Sequence, residues 1–393
     1  MSGNFEIIGN FTREKCGSCN CGDFCLNVPG HENVGVTREV FHGGKSDGLE
    51  TVTIYNDTIS VLVIPTRGMG IGEVRILKED GEDVRFGWNS PVTEWVNPRN
   101  VPLNQADGLG WLRGFNEFVA RCGLEWTGAP EFNENGTLRY SLHGLIENTP
   151  AAGVLLEVDE DAQVLKLTGV MNEGRLFFNH LELTSTVTVP FSGNWFQVDD
   201  CVKNLAARDA EFELLYHCNT GNPIADQGSK IYIPFVRCVP RNDFAASQLD
   251  ELFDYHEPRV GEPETCYYYD LSADADGNTA TFLRDPTGEY GVGLSFNKRE
   301  FPYFCQWKCQ HAREDGYVTG MEPCTSFPNN HSFERECGRV IDLKPGENRH
   351  HGIRFTFACN PEQAAQQIAR VEQLQALCPE PVVERKMAAD WAN

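Results

Sequence analysis

Short segments with the pattern of β-strands, separated by turn residues, recur along most of the chain. Residues 50–65 read ETVTIYNDTISVLVIP, two β-branched runs on either side of a turn at Asn56-Asp57. The segment LELTSTVTV alternates with period two, which places on one face Leu181, Leu183, Ser185, Val187 and Val189. Further segments with strand character cover 154–158, 164–170, 212–217, 230–236, 290–296, 301–308 and 349–357. Because helices do not alternate with these segments, the series predicts an all-β fold, a large twisted antiparallel β-sandwich.

Two stretches have the spacing of a helix instead. Over residues 111–122, apolar side chains recur at i, i+3 and i+4, which predicts a short helix. After Asn360, a capping residue, Pro361 suits the first helical position and an apolar stripe follows. A C-terminal helix over 361–378, packing on the sandwich, is therefore predicted, and the residues from Pro381 onward look frayed.

No linker, internal repeat or low-complexity tract divides the chain. The sequence thus predicts a single domain over residues 1–393, with its sandwich core at about 50–358 and a cysteine-rich segment at 1–49 before it. We expect the protein to be a monomer or a homodimer.

The charge balance argues against two classes of partner. The chain has 57 acidic residues against 33 Lys and Arg, a formal net charge of −24. A field of this sign repels phosphate backbones and anionic lipid headgroups, so we expect neither nucleic acid nor a membrane as a partner. No signal-peptide pattern and no apolar run of ~20 residues is visible. We therefore expect a cytoplasmic protein whose 15 cysteines are reduced thiols.

Four of these cysteines, Cys16, Cys19, Cys21 and Cys25, are spaced C-x2-C-x-C-x3-C. Thiolates at such short spacing can hold zinc or an iron–sulfur cluster. The spacing matches no standard metal knuckle, however, and no second paired set follows it. The sequence thus predicts no metal site and no cofactor.

Polar residues stand at the ends of apolar segments in three places. These places are Ser141-Leu142-His143-Gly144, the run from Leu214 to Pro223 (LLYHCNTGNP), and Gly320-Met321-Glu322-Pro323-Cys324-Thr325. Binding residues commonly occupy such positions, although a single His beside a Gly is more often a hydrogen-bonded turn residue.

Together the three places resemble the aldose 1-epimerases of the galactose mutarotase-like superfamily. The L-H-G-G element of that family is similar to Leu142-His143-Gly144, and its N-H-x-Y-F-N-L element to Tyr216-His217-Cys218-Asn219. Its late E-x-Q element, near a P-D-x-x-N run, is similar to Glu322 with Pro328-Asn329-Asn330. An uncharacterised branch of the superfamily is more similar still, with elements like IPTRGM at 64–69, GWLRGF at 110–115 and CGLE at 122–125.

The resemblance implies a catalytic pair. Interconverting the anomers of a sugar requires one group to take the proton of the anomeric hydroxyl and another to protonate the ring oxygen. A carboxylate and an imidazole on opposite sides of the anomeric carbon suit this chemistry. By the resemblance, Glu322 is the base and His217 the acid.

The same resemblance implies residues that bind the substrate. His143 and Arg113 are expected to hold sugar hydroxyls, and Asn219 is expected to take part in binding. Gln306 and Lys308 share one face of the strand that precedes Glu322, so we expect them to line the same cleft. The family's sugar-binding Asp has no counterpart that can be placed on this chain.

Two alternatives to an epimerase remain open at this point. The first is a carbohydrate-binding module without catalysis, since a fold does not fix a function. The second is an isomerase or lyase for an acidic sugar, whose carboxylate Lys308, Arg113 and Arg67 would serve.

Overall fold

The structure is a computed structural model that describes residues 3–8, 24–28, 30–78 and 81–392. Two large β-sheets pack face to face, which confirms the predicted all-β sandwich. The strands of the first half are β1 Gly3–Ile8, β2 Phe24–Asn27, β3 Gly35–Val40, β4 Glu50–Tyr55, β5 Ile59–Ile64, β6 Gly70–Leu77, β7 Asp83–Phe86, β8 Val119–Leu124, β9 Glu131–Phe132, β10 Leu138–Tyr140, β11 Gly153–Asp159 and β12 Val164–Gly174. Those of the second half are β13 His180–Pro190, β14 Trp195–Asn204, β15 Ala210–Gly221, β16 Lys230–Tyr232, β17 Phe235–Pro240, β18 Thr265–Leu271, β19 Asn278–Arg284, β20 Gly291–Asn297, β21 Tyr303–Cys309, β22 Val318–Cys324, β23 Ile341–Leu343, β24 Asn348–Ala358 and β25 Val382–Val383. The α-helices of the described residues are α1 Gln105–Gly108, α2 Asp243–Ser247, α3 His331–Glu336 and α4 Pro361–Ala376.

The two packed sheets differ in size, and are here called the small sheet and the large sheet. The small sheet has nine strands in the order β1-β11-β12-β13-β14-β24-β20-β19-β16. The large sheet has fourteen, in the order β2-β3-β4-β5-β6-β8-β15-β22-β21-β18-β17-β25, with β7 beside β6 and β23 beside β15. Strands β9 and β10 form a hairpin of their own. Among the described strands, β17 and β25 pair in parallel and the other pairs are antiparallel.

The main apolar core lies between the two sheets. The alternation along β13 directs Leu181, Leu183, Val187 and Val189 into it, as predicted, and Ser185 is buried with them. The opposite face of the large sheet, here called the outer face, buries a second cluster rich in Trp, Phe and Cys. Side chains of the segment 88–115, Leu142 and the C-terminal residues 391–392 pack on this outer face.

The helix predicted at 111–122 is wrong. Residues 110–113 form a single 3-10 turn, and 119–124 form β8, which lies between β6 and β15. The Asn116 amide donates to the carbonyls of Val92 and Glu94 at 3.0 and 2.7 Å, which ties this segment to a part of the chain more than 20 residues away. Pairing in the large sheet then outweighs the helical spacing of the apolar residues.

Two other predictions concern single segments. The strand predicted at 230–236 is two strands, since β16 belongs to the small sheet and β17 to the large one. Pro234, which has no N–H to donate to a ladder, stands between them. The C-terminal helix is confirmed as α4, capped by the Asn360 side chain on the Gln363 amide.

The expectation of a frayed tail after residue 381 is wrong. Strand β25 pairs with β17, and the ring of Trp391 packs on Phe327 with centroids 4.9 Å apart. The backbone carbonyl of Trp391 also accepts a 2.8 Å hydrogen bond from Asn329. These contacts hold the tail against the outer face of the large sheet.

The described residues bear only partly on the predictions about metal binding and about membrane-spanning segments. Cys16, Cys19 and Cys21 lie outside them, so the metal prediction stays a prediction. Elsewhere in the described chain, no group of three or more His, Cys, Asp or Glu side chains is arranged to hold a metal ion. Nor does a helix in the described ranges combine the length and apolar character needed to cross a membrane.

Candidate active site

His217 and Glu322 are direct neighbours on the outer face of the large sheet. The register of β15 with β22 pairs Leu215 with Cys324 and Cys218 with Met321, which places His217 opposite Glu322. Their side chains meet with His217 Nε2 3.3 Å from Glu322 Oε1. The two groups therefore stand side by side on adjacent strands, rather than on opposite sides of a cleft as the resemblance led us to expect.

Aromatic rings enclose the imidazole of His217. The ring centroids of Phe115, Trp307 and Trp111 lie 4.9, 5.2 and 6.2 Å from that of His217. His143 adds a fourth ring at 5.5 Å. Small-molecule sites are typically lined by apolar side chains with a small number of precisely positioned polar groups, and aromatic rings pack well on the C–H faces of a sugar.

The loop that carries His143 depends on the glycine after it. Gly144 has φ of 76°, and a Cβ there would stand 2.1 Å from the carbonyl oxygen of Gly123. His143 Nδ1 lies 2.7 Å from the Thr127 carbonyl oxygen, which fixes the ring and turns Nε2 away from the loop. Burial lowers the pKa of His143 to about 4, so its imidazole is neutral at pH 7.

Asn219 orients His217 from behind. Its amide nitrogen donates to the carbonyls of Glu117 and His217, each at 3.0 Å. The amide oxygen therefore faces the imidazole and accepts from His217 Nδ1–H at 2.5 Å. Because Nδ1 carries the proton, Nε2 presents a lone pair toward Glu322.

The carboxyl of Glu322 lies over a glycine. A Cβ at Gly320 would stand 2.2 Å from Glu322 Oε1, so the absence of a side chain there makes the space for the carboxyl. The Glu322 side chain is only 2% exposed. Within the described residues, Oε1 has no hydrogen-bond partner. A buried polar atom without a partner is rare, and a ligand is one explanation for it.

Burial shifts the pKa of both members of the pair toward their neutral forms. Burial raises the pKa of Glu322 well above its usual range, Cys266 adds to the rise, and a hydrogen bond from Cys305 opposes it. Burial also lowers the pKa of His217 to about 3, with neighbouring His143 adding to the effect and Asn219 opposing it. Both shifts favour the neutral forms, a protonated Glu322 and an uncharged His217.

Gln306 and Lys308 are not part of this site. On β21 it is Cys305 that pairs with Glu322, so Gln306 and Lys308 lie on the opposite face of the strand. Gln306 accepts from Tyr269 and donates to the Leu252 carbonyl. Lys308 Nζ donates to two backbone carbonyls at 2.8 Å, and burial lowers its pKa to about 8.

The two arginines that sequence reasoning considered lie elsewhere. Arg67 is fully buried in ion pairs with Glu117 and Glu147. Arg113 is exposed and lines an outer groove with Lys45 and Glu94. No hydrogen bond or ion pair joins Arg113 to His217 or Glu322 in the described chain.

Sequence reasoning missed Trp307, which packs on His217, and also Glu264 and Arg241, which connect to Trp307. Trp307 lies on the same face of β21 as Cys305, and its indole Nε1 donates to Glu264 Oε2 at 2.7 Å. Arg241 follows β17 and reaches Glu264 Oε1 at 3.6 Å. The alternation along 301–308 could have predicted that Trp307 shares a face with Cys305. Only the register of β21 with β22 shows that this is also the face of Glu322.

Solved structures with this architecture define the class of protein. A Klebsiella pneumoniae protein, described provisionally as an aldose 1-epimerase, is 30% identical, with a TM-score of 0.90 and 99% of both chains covered. A galactose mutarotase-like protein from Clostridium acetobutylicum has a TM-score of 0.60 at 14% identity, covering 84% of this chain and 100% of its own. A galactose 1-epimerase from Lactobacillus acidophilus has a TM-score of 0.53 at 12% identity, covering 82% and 98%. The fold is thus that of the galactose mutarotase-like proteins.

Within that class, the chain belongs to the family described as domain of unknown function DUF4432, whose model matches residues 46–357. A comparison with curated protein sequences finds no match. The resemblance to an uncharacterised branch of the superfamily is confirmed.

Proposed function

We propose that this protein is an isomerase that interconverts the anomers of a reducing sugar, with His217 and Glu322 as its acid–base pair. The observation that carries the proposal is the contact of His217 Nε2 with Glu322 Oε1 at 3.3 Å, in a ring of aromatic side chains. The anomeric hydroxyl and the ring oxygen of a sugar share one carbon. Two protein groups this close together can therefore reach both oxygens by hydrogen bonds from one side of the sugar.

The protonation states assign the first proton transfers. Neutral His217 takes the proton of the anomeric hydroxyl on Nε2, while Glu322 gives its proton to the ring oxygen as the C1–O5 bond breaks. The products of this step are an open-chain aldehyde, an imidazolium and a carboxylate. These roles are the reverse of those that the resemblance implies, because burial favours the neutral forms of both groups in the resting site.

The return step restores the enzyme. After rotation about the C1–C2 bond, Glu322 takes the proton back from the O5 hydroxyl as O5 attacks the other face of the aldehyde. His217 returns its proton to the carbonyl oxygen, which becomes the anomeric hydroxyl again. Each step transfers one proton onto the pair and one proton off it, so the number of protons on the pair is unchanged and the site needs no exchange with solvent.

The contacts of Arg67 and Lys308 weaken the acidic-sugar alternative. Arg67 is neutralised by Glu117 and Glu147, and Lys308 is bound by backbone carbonyls on the other face of β21. Neither cation is left to receive a substrate carboxylate at His217. Sugar recognition without catalysis is the remaining alternative. The variants of His217 and Glu322 described next distinguish it from catalysis.

Glu322→Gln and His217→Asn should each lower the rate of anomer exchange by about 10²–10⁴, because each removes one proton-transfer group. Exchange NMR on a panel of reducing sugars gives the rate, after subtraction of the uncatalysed background at several enzyme concentrations. The matched controls Glu289→Gln and His180→Asn change exposed residues of the same types and should leave the rate unchanged.

Two results would separate the alternatives. A protein that binds a sugar by calorimetry and never exceeds the background rate is a recognition protein. A measurable wild-type rate that survives both Glu322→Gln and His217→Asn would keep the fold but refute these two residues as the catalytic pair.

A further inference from the structure

Arg241 lies over the outer face of the large sheet, on the same side as Glu322. Its backbone N–H donates to the Cys266 carbonyl at 3.0 Å, which fixes residue 241 beside β18. Its guanidinium Nη1 lies 3.9 Å from Cys266 Sγ. Cys266 pairs with Trp307 in the register of β18 with β21, and it belongs to the buried cluster of the outer face.

A continuous set of contacts leads from Arg241 to the catalytic pair. The carboxylate of Glu264 uses one oxygen for Arg241, at 3.6 Å, and the other for the indole N–H of Trp307, at 2.7 Å. The ring of Trp307 then packs edge-on against His217. Arg241, Glu264 and Trp307 are here called the rim.

The charge of Arg241 reaches both walls of the site. Its field lowers the pKa of Glu322, on the sheet, and that of His143, on the opposite loop, although burial is the largest influence on each.

The rim retains capacity for a ligand. The side chains of Arg241 and Glu264 are 30% and 51% exposed, and their 3.6 Å separation is longer than a direct hydrogen bond. Arginine offers five N–H donors in a fixed fork, and a carboxylate offers acceptor sites only. Arg241 can therefore donate to the hydroxyl oxygens of a diol while Glu264 accepts from its O–H groups. Because the two charges neutralise each other, such a rim favours neutral hydroxyls over an anionic group.

We propose that Arg241 and Glu264, held against Trp307, bind the hydroxyl groups of a neutral sugar away from its anomeric carbon and so determine which reducing sugar the site accepts. This inference rests on the proposed function, since it takes the anomeric carbon to lie at His217 and Glu322. The rim residues are positioning residues, because the reacting atoms lie at the pair.

The test compares Arg241→Met and Glu264→Gln with wild type on a panel of aldoses that differ at single hydroxyls. Loss of a hydrogen bond to a charged group should raise KM for the preferred sugar by about 10–100-fold. The value of kcat should change by less than about 3-fold. The ratio of kcat/KM between the preferred aldose and the other aldoses should become smaller. Arg299→Met, a change of an exposed arginine on the small sheet side, is the matched control and should alter neither.

Each outcome bears on one proposal or the other. If KM and the order of preferred sugars stay unchanged in both variants while Glu322→Gln abolishes the rate, the rim proposal is overturned and the proposed function stands. If wild type binds sugars without catalysis and Arg241→Met weakens that binding selectively, the rim stands and the proposed function fails. Should Arg241→Met fail to fold, Arg241→Lys, which keeps the charge but loses the fork, replaces it with the same expected change in preference.

Discussion

Two buried polar clusters on opposite faces of the large sheet, Arg121 with Asp200 and His217 with Glu322, differ in how completely they are bonded, although consecutive residues of β15 contribute to them. Tyr216 points between the sheets, where it donates to Asp200. There Arg121 binds both oxygens of Asp200, at 2.6 and 3.1 Å, and also Ser185 at 2.7 Å. Arg121 gives its remaining hydrogen bonds to the carbonyls of Gly68 and Met69. Every donor of this inner arginine has a partner.

On the outer face, the His217–Glu322 pair is incompletely bonded. His217 is fixed only through Nδ1, and its Nε2 meets a carboxyl oxygen of Glu322 that has no hydrogen-bond partner in the described chain. A buried polar group normally acquires partners unless its capacity serves another purpose. The difference supports the proposal that the outer pair serves a ligand, whereas the inner cluster is bonded as a structural ion pair is.

The largest effect on stability should follow from breaking the inner cluster. Asp200→Ala leaves the Arg121 guanidinium buried without its carboxylate, which should lower the free energy of unfolding by about 3–5 kcal/mol. Urea denaturation measures the change. Glu322→Gln is the outer-face counterpart, and because it replaces a protonated carboxyl with a neutral amide, its cost should stay within about 1 kcal/mol. Equal losses in the two variants would remove the distinction between the faces.

A smaller effect, confined to activity, should follow from Gly320→Ala. The new Cβ would stand 2.2 Å from Glu322 Oε1, so the carboxyl must move away from His217. A displacement of this size should lower the exchange rate by about 10²-fold at most, with little loss of stability. Gly352→Ala in β24, where the nearest atom to a new Cβ is the Asp199 carboxylate at 3.2 Å, is the matched control. A full rate in Gly320→Ala would mean that the position of Glu322 is not important for the reaction.

Much of the fold follows from local sequence. The alternation of β13 and the turn at Asn56-Asp57 are local patterns, and the structure reproduces both. The segment 111–122 could not be predicted in this way, because its conformation is set by pairing with β6 and β15, which are distant in sequence. The split at Pro234 likewise depends on which sheet each half joins.

The site was predictable only where a residue motif marks it. His143, His217 and Glu322 follow from motifs, and the structure brings them together. Gln306 and Lys308 were placed on the wrong face because alternation shows that two residues share a face but not which face it is. Arg241 and Glu264 come from the ends of other strands, so only the assembled sheet brings them to Trp307.

The pH dependence of wild-type anomer exchange tests the neutral forms of the pair most directly. The groups that influence the pKa of the pair are His143, Cys266, Cys305, Glu264 and Arg241, and the thiols of Cys122 and Cys324 lie on the same face. His217, with its pKa lowered to about 3, stays unprotonated above that pH, and the raised pKa of Glu322 keeps its carboxyl protonated beyond the usual range of a glutamate. The background-corrected kcat/KM should therefore show no inflection from His217 at the ordinary histidine pKa of ~6.5. A titration centred near 6.5 that disappears in His217→Asn, or no rate above background at any pH, would contradict the account.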